Sequence, residues 1–285
     1  HAEAEGIRLK EVRVKPRADV FVVDVVLEYK EDMDHLRKNP LLEMDEKALK
    51  RSLEDTSECP YRVAAIDPGT QNFCAVTNNF GQKPFLMRGG LIRSRNNYYN
   101  KELARLKTLA KKCNGRDTSK RISRLHEKRN RIMKDLMHKA SRVMAEWAAE
   151  NRVELVVLGH NIFQKQGINM GHENNQTFVQ IPFGVFADML RYKLEEKGIA
   201  MIETEEAYTS QADFLAKDPI PEYKKGDQAP EMSGKRIRRG LYRHYNGQIS
   251  NADINGAANI LRKVFPNITE WDKGIVDMPY AINAA

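Results

Sequence analysis

The sequence predicts an α/β fold in which a mixed β-sheet is flanked by helices. Three short apolar segments between residues 62 and 88 are separated by turn-forming residues, which predicts an antiparallel meander. Two later segments, 153–159 and 198–205, are apolar on both faces, as strands buried in a parallel sheet are. Helical patterns precede and follow these two strands, so right-handed crossovers would place both beside the first strand of the meander.

The segment in front of the meander has a different pattern. Residues 7–14 and 20–29 alternate between apolar and polar side chains on either side of PRAD, which predicts a β-hairpin. Residues 31–57 are acidic, and we interpret them as a linker. We therefore expect residues 1–57 to form a small β segment plus linker, in front of a main domain at 58–270.

The elements of the main domain follow one another in a defined order. We expect strands at 62–67, 72–77 and 84–88, helices at 98–112 and 119–151, a strand at 153–159, a helix at 182–197, a strand at 198–205 and a helix at 253–265. Residues 211–250 are rich in Lys, Arg, Gly and Pro and are expected to be irregular. This element order is that of the ribonuclease H-like fold, whose sites lie at the carboxyl ends of the parallel strands.

Basic residues are concentrated in one part of the main domain. Residues 91–142 contain 17 Lys and Arg against 4 Asp and Glu, whereas the rest of the chain contains 30 against 35. This excess predicts a polyanionic partner such as nucleic acid, although a solvated helix face is the ordinary alternative. The candidate phosphate contacts on the second basic helix are Arg121, Arg124, Lys128, Arg131 and His138.

Acidic residues occur where three of the expected elements begin or end. Asp67 ends the first strand, Asp253 begins the last helix, and Glu203, Glu205 and Glu206 end the last parallel strand. Carboxylates brought together by the fold suit two Mg²⁺ ions, which prefer oxygen ligands and promote phosphodiester hydrolysis. Each position also has an ordinary interpretation, as a turn residue, a helix N-terminal charge or a solvated strand end.

Other chemistries find little support in the sequence. Cys59, Cys74 and Cys113 form no CxxC pair, so we expect no zinc site and favour a reducing compartment. Neither GxxxxGK[ST] nor GxGxxG occurs, which argues against those two phosphate-binding loops. No apolar run approaches the roughly 18 residues of a membrane span, and we expect no membrane partner.

Six motifs occur in the order found in the nuclease region of one known family. They are IDPGTQNF, HKASR, QTFVQIPF, TEEAYTSQADFL, GKRIRRGLY and NADINGAANILRK. Together they resemble the RuvC nuclease region of TnpB, the OrfB-type transposon-associated protein, which is related to Fanzors and type V CRISPR effectors. The resemblance implies an RNA-guided DNA endonuclease with two Mg²⁺ ions, whose partners are a guide RNA and a target double-stranded DNA.

The resemblance also has implications for domain organisation. The leading hairpin resembles the end of a wedge domain, and because the chain begins at His1 we expect it to be a fragment that lacks the recognition lobe and the first part of the wedge. The main domain would carry a basic helical insertion at about 91–150 and a target-nucleic-acid-binding insert at about 211–250, followed by a tail at 271–285. We expect cytoplasmic localisation near the nucleoid, or nuclear localisation in a eukaryote.

One departure from the family pattern concerns the middle metal ligand. Most relatives end the strand that matches LVVLGHN with a glutamate, where this chain has Gly159. One TnpB branch and Fanzors instead carry an acidic residue on the neighbouring strand just before YTS, a position that Glu206 occupies here. The expected metal ligands are therefore Asp67, Glu206 and Asp253, with Glu205 as the alternative to Glu206.

A second departure concerns the insert, and two further functions stay open. The insert lacks the cysteine pairs of many relatives, so we expect it to fold without zinc and to contact nucleic acid through Lys235, Arg236, Arg238, Arg239 and Arg243.

The missing glutamate at Gly159 leaves open a nuclease-inactive RNA-guided repressor. The fold alone also leaves open a ribonuclease H-like transposase.

Overall fold

The computed structural model describes most of the chain and divides it into two compact units. The described residues are 7–17, 20–29, 39–54, 59–160, 181–222, 230–267 and 274–283. One unit comprises residues 1–37 and 94–135, and the other comprises residues 38–93 and 136–285. Most of the QTFVQIPF motif and parts of the predicted linker lie outside the described residues.

The smaller unit contains the predicted hairpin and parts of two helices, which continue into the larger unit. Strands β1 (Ile7–Arg17) and β2 (Val20–Tyr29) pair in antiparallel fashion, which confirms the hairpin. Helix α2 spans Gly90–Asn114 and α3 spans Lys120–Glu150, so α2 begins eight residues earlier than the sequence pattern predicts. Within this unit the two helices pack through an apolar cluster of Leu106, Ala110 and Ile122, with Leu103 and Leu125 against it.

The larger unit is built on a six-stranded mixed sheet. Its strands are β3 (Val63–Pro68), β4 (Asn72–Asn78), β5 (Phe85–Arg88), β6 (Leu155–His160), β7 (Ala200–Glu205) and β11 (Tyr280–Asn283). The strand order is β11-β5-β4-β3-β6-β7. Strands β3, β4 and β5 form the antiparallel meander, and β6 and β7 run parallel to β3. The predicted α/β class with a mixed sheet and flanking helices is confirmed.

Helices cover this sheet and form its core. Helix α4 (Phe183–Glu195) places Phe186 against Phe73 of β4, with ring centroids 4.8 Å apart. Helix α5 (Ala252–Val264) is buried along most of its length. The largest core cluster contains Ile260 and Leu261 of α5 beside apolar residues of β3, β6 and β7. None of the helices in the described part of the chain is long and apolar enough to cross a membrane.

Two elements occur where the sequence pattern did not predict them. A 3₁₀ turn at Pro40–Leu42 and helix α1 (Glu46–Glu54) lie in the segment interpreted as a linker. Leu41, Leu49 and Leu53 are buried in the same core cluster as α5, so the described part of that segment packs onto the larger unit. Strand β11 lies in the predicted tail and adds a parallel edge strand beside β5.

The insert at 211–250 also forms regular structure. Strands β8 (Lys235–Arg238), β9 (Leu241–Arg243) and β10 (Ile249–Asn251) form a small antiparallel sheet, so the expectation of an irregular segment is wrong for these residues. A buried polar network supports this sheet. The ring nitrogens of His244 lie 2.6 Å from a carboxylate oxygen of Asp213 and 2.8 Å from the hydroxyl oxygen of Ser250.

We expect the insert to depend on this network for its stability rather than on zinc. The carboxylate of Asp213 also accepts hydrogen bonds from the backbone N–H groups of Leu215 and Tyr245, so losing the histidine leaves buried polar groups unpaired. His244→Ala should lower the free energy of unfolding by about 2–4 kcal/mol. A chelator should leave the thermal midpoint of the wild-type protein unchanged, and stoichiometric zinc in elemental analysis would contradict this account.

Candidate active site and basic surfaces

Asp67 lies at the carboxyl end of β3, the first strand of the meander, against helix α5. It directly follows Ile66, which pairs with Leu158 in the parallel β3–β6 ladder. A Cβ atom added to Gly256 of α5 would lie 2.6 Å from Oδ2 of Asp67, closer than such atoms come in real structures. The glycine therefore allows the helix to approach the carboxylate, and any side chain at position 256 would displace it.

Glu206 occupies the space in which a side chain at position 159 would lie. A Cβ atom added to Gly159 would be 2.7 Å from Oε1 of Glu206 and 2.6 Å from Cδ1 of Ile260. Gly159 is one residue beyond Leu158, so this space adjoins the end of β3, where Asp67 lies. The carboxylate of Glu206 thus extends from the end of β7 across β6 toward Asp67.

Asp253 belongs to the first turn of α5, which begins after the N-cap residue Asn251. Its Oδ2 accepts a hydrogen bond of 2.8 Å from the amide of Asn72, in the first position of β4. Its Oδ1 is 3.0 Å from a guanidinium nitrogen of Arg236, on strand β8 of the insert. The third predicted carboxylate is therefore near the end of β3 but is paired with the insert.

The three glutamates at the end of β7 have three different environments. Glu203 is ion-paired, 2.7 Å from Arg191 and 3.1 Å from the His160 ring. Glu205 has its carboxylate 3.5 Å from the Nζ atom of Lys263. Glu206 follows the last residue of β7, and of the three glutamates it is the one whose charge raises the pKa of Asp67. The structure thus gives Glu206 and Glu205 different surroundings, and the choice of Glu206 as the ligand stays a prediction.

The pKa values of Asp67 and Glu206 are both raised, chiefly because the two carboxylates are buried. Loss of hydration raises the pKa of Asp67 well above its usual range, and the charges of Glu206 and Asp253 raise it further. Loss of hydration likewise raises the pKa of Glu206 to about 7, although Lys263 opposes this. No hydrogen bond of either carboxylate contributes to these shifts. A bound cation would relieve both the dehydration and the repulsion.

The donor chemistry fits a hard cation, but the ligands are not already grouped. Carboxylate oxygens are what Mg²⁺ prefers, and burial raises the pKa of both Asp67 and Glu206, although Arg236 opposes this at Asp67 and Lys263 opposes it at Glu206. Across the described ranges, no three His, Cys, Asp or Glu residues form a ready metal site. Asp253 is instead ion-paired with Arg236.

A cleft beside these carboxylates brings basic residues to the same place. It has a volume of about 370 Å³, and its walls include Asp67, Asn72, Asp253, Arg236 and Arg239. Two of the predicted insert contacts, Arg236 and Arg239, thus line the same cleft as Asp67 and Asp253. The other predicted insert contacts are exposed but do not line this cleft; they are Lys235, Arg238 and Arg243.

Two buried asparagines of α5 hold the loop that follows Glu206, a role that sequence reasoning missed. The amide of Asn255 donates to the carbonyl oxygen of Ala212, and the amide of Asn259 donates to those of Thr209 and Ala212. Tyr208 has a φ of 63° within this loop, a strained conformation for a residue with a side chain. Asparagines on an otherwise apolar helix were the only signal of this clamp in the sequence.

The predicted basic contacts of α3 form a single stripe. Arg121, Arg124, Lys128 and Arg131 are spaced by three, four and three residues, so they lie on one side of the helix, and all four are exposed. His138 is also exposed, and its carbonyl oxygen accepts a hydrogen bond from Lys193. Four exposed cations thus lie in a row along one side of α3.

We expect charge reversal on this stripe to weaken nucleic-acid binding. Arg121→Glu combined with Arg124→Glu and Arg131→Glu should reduce affinity for RNA or DNA, because each phosphate that the protein no longer neutralises keeps its counterion. The slope of log affinity against log salt should fall by roughly one for each such phosphate. An unchanged slope, measured by fluorescence anisotropy over a salt series, would show that this face is only solvated.

We also expect the stability of the metal-free protein to depend on the ionisation of Glu206. Because folding raises the pKa of Glu206 from 4.5 to about 7, the folded state binds more protons in this window. Glu206 therefore contributes to the free energy of unfolding most fully below about pH 4.5, where it is protonated in both states. This contribution is lost as the pH rises through about 7. Urea unfolding in EDTA should show this loss, on the order of 1–3 kcal/mol. The Glu206→Gln variant should lose less stability over the same pH range. An equal pH dependence in the wild type and the variant would contradict the prediction.

Comparison with known proteins supports the motif assignment. Residues 43–163 match the OrfB_IS605 family, described as "Probable transposase". Residues 183–260 match the family "Cas12f1-like, TNB domain". No curated protein matches the sequence significantly.

Two solved structures resemble the chain at low sequence identity. One is titled "Cryo-EM structure of the Cas12f1-sgRNA-target DNA complex", with 16% identity, a TM-score of 0.46 and coverage of 87% of this chain and 55% of that one. The other is titled "Cryo-EM structure of CRISPR-Cas12f Ternary Complex", with 16% identity, a TM-score of 0.48 and coverage of 92% and 45%. The chain spans about half the length of these proteins. The resemblance predicted from the six motifs is confirmed by the family matches: the chain is similar to OrfB-type, TnpB-like proteins in its first matched region and to the Cas12f1-like domain in its second.

Proposed function

We propose that the protein is an RNA-guided endonuclease that hydrolyses phosphodiester bonds of target DNA with two Mg²⁺ ions. The observation that carries this proposal is the position of Glu206 above Gly159, beside Asp67. Strand β6 has Gly159 where a carboxylate would be needed, and Glu206 places its own carboxylate in that space. The matches to an OrfB-type family and to a Cas12f1-like domain support guide RNA and target DNA as the partners.

Each acidic residue has a role in this proposal. Asp67 and Glu206 would hold cations between the ends of β3 and β7, and Asp253 would join them from the start of α5. Mg²⁺ ions bound there would activate a water molecule and stabilise the leaving oxygen. Asn72 keeps the carboxylate of Asp253 oriented through its hydrogen bond of 2.8 Å. Asn259 holds the loop after Glu206 and so limits the movement of that carboxylate.

Arg236 would exchange partners when substrate binds. It pairs with Asp253 at 3.0 Å and lines the same cleft as Arg239. A phosphodiester group in this cleft offers the guanidinium a replacement anion, so Asp253 becomes available as a ligand. The two arginines would then position the phosphate beside Asp67. The basic stripe of α3 would contact the backbone of the guide RNA or target DNA, which carries no sequence information.

Cleavage of supercoiled plasmid tests this proposal. The protein purified with its associated RNA, or with RNA identified by sequencing that material, is incubated with plasmids that carry a matching target. We expect Mg²⁺-dependent linear product only with the matching guide, and none in EDTA. Guide-dependent binding without nicking would contradict cleavage and identify a nuclease-inactive DNA-binding protein.

A transposase activity is the second candidate, and the description of the first matched family is the observation that favours it. Such an enzyme would join DNA ends rather than hydrolyse a guide-selected target. Labelled transposon ends incubated with the protein and Mg²⁺ separate the two functions. Integration products formed without RNA would favour the transposase over the guided nuclease.

A further inference from the structure

A groove between α2 and α3 in the smaller unit combines aromatic, apolar and cationic side chains. Its volume is about 200 Å³, and Arg95, Tyr98, Lys128 and Ile132 are among the residues that line it. Positions 95, 98 and 99 share one side of α2, and positions 125, 128 and 132 share one side of α3. The groove shares no lining residue with the cleft that contains Asp67 and Asp253.

The back wall of this groove is built from fixed side chains. The hydroxyl of Tyr99 lies 2.7 Å from Nδ1 of His126 across the helix pair. The guanidinium of Arg129 is 5.6 Å from the centroid of the Tyr99 ring, and its Nε donates to Asn96. Met133 is buried beneath these residues. These contacts link α2 to α3 along the groove.

The front of the groove is exposed and positively charged. Tyr98 is 59% exposed. An aromatic ring contributes favourable free energy mainly when another group covers it, so this exposed ring is available for stacking. Arg95 and Lys128 are exposed beside it, and no acidic side chain lines this part of the described chain. An aromatic face flanked by two cations above an apolar floor matches a base and its phosphate, because bases stack on aromatic rings and phosphates pair with Arg or Lys.

We propose that this groove holds one unpaired nucleotide, with its base stacked on Tyr98 and its phosphate between Arg95 and Lys128. The volume of about 200 Å³ suits one planar base rather than a stretch of duplex. The inference rests on the proposed function in that a nucleic acid must reach this unit. The nucleotide site would add base stacking to the phosphate contacts already proposed for α3. The strand that supplies the nucleotide is either the guide RNA or the displaced DNA.

Photocrosslinking and binding of single strands test the inference. The full chain is bound to single-stranded RNA containing 5-iodouridine, to DNA of the same sequence containing 5-iododeoxyuridine, and to the corresponding duplex. We expect crosslinks to Tyr98 with one or both single strands and none with duplex. A crosslink with RNA alone assigns the guide as the source of the nucleotide, and a crosslink with DNA alone assigns the displaced DNA strand.

Substitutions give an independent measurement of the same site. Tyr98→Ala should weaken single-strand binding at least about fivefold with an unchanged salt slope, because it removes base stacking and leaves every phosphate interaction in place. Tyr98→Phe should bind like the wild type, and Lys128→Ala should lower the salt slope by about one. The control is Tyr192→Ala on α4, a helical tyrosine that is 41% exposed.

The two proposals fail in different ways. Crosslinks at other residues, together with equal affinity of the Tyr98→Ala and Tyr192→Ala variants, would overturn the nucleotide site. Guide-dependent plasmid cleavage would survive that result. Absence of both nucleic-acid binding and cleavage by the wild-type protein would instead contradict the proposed function.

Discussion

Glu206→Gln is expected to abolish target cleavage while guide and target binding survive. Glutamine keeps the shape of the side chain above Gly159 but removes its charge, so the cations beside Asp67 lose a ligand. Substitutions next to metal ligands reduce activity by about 10–100-fold, so the loss of a ligand itself should exceed about a hundredfold. Single-turnover cleavage rates and anisotropy binding constants on the same preparations measure the two effects separately.

Glu205→Gln is the matched control for this prediction. Its carboxylate lies 3.5 Å from Lys263 and is directed away from Asp67, so cleavage should change by no more than about threefold. The thermal midpoint of Glu206→Gln should not fall, because repulsion between Glu206 and Asp67 is relieved. Equal loss of cleavage in both variants would argue that the strand end acts only through its total charge.

Gly159→Ala is expected to lower cleavage at least about tenfold, although alanine is only one methyl group larger. The new Cβ atom would lie 2.7 Å from Oε1 of Glu206 and 2.6 Å from Cδ1 of Ile260, so the carboxylate must move away from Asp67. Displacement of a catalytic group by about 1 Å can reduce the rate about a hundredfold. Overpacking against Ile260 should also cost about 1–3 kcal/mol of stability.

Gly184→Ala is the control, because a Cβ atom at that position on α4 meets nothing within 4 Å. It should leave cleavage unchanged. Gly159→Glu combined with Glu206→Ala moves the carboxylate to β6, the position that the motif resemblance implies for the commoner layout. Because Ile260 occupies part of that space, we expect only partial recovery of cleavage. Full recovery would show that the two layouts are interchangeable on this scaffold.

The parts of the fold that sequence patterns predicted are those with strong periodicity. Strands β3, β6 and β7 are apolar runs, and α3 keeps helical spacing over 31 residues. Strand β8 carries mainly Lys and Arg, and β11 has four residues, so neither shows an apolar alternation. Leu49 and Leu53 of α1 are four residues apart within a highly charged sequence, and this short signal was not enough to identify a packed helix.

The candidate site was predictable in composition but not in geometry. Motif order directed attention to Asp67, Glu206 and Asp253, and the strand pattern put them at one end of the sheet. The sequence could not show that Glu206 fills the space above Gly159, since this depends on the β6–β7 register and on the closeness of Ile260. Nor could it show that Asp253 pairs with Arg236, a contact between the insert and the start of α5.

Localisation of bound metal tests the central claim most directly. Crystals of the protein with its guide RNA and a target strand, grown with Mn²⁺ in place of Mg²⁺, allow the ions to be located by anomalous scattering. The account predicts two Mn²⁺ peaks coordinated by Asp67, Glu206 and Asp253, with Arg236 turned away from Asp253, and loss of at least one peak in Glu206→Gln. Peaks coordinated by Glu205, or an unchanged pair of peaks in Glu206→Gln, would contradict it.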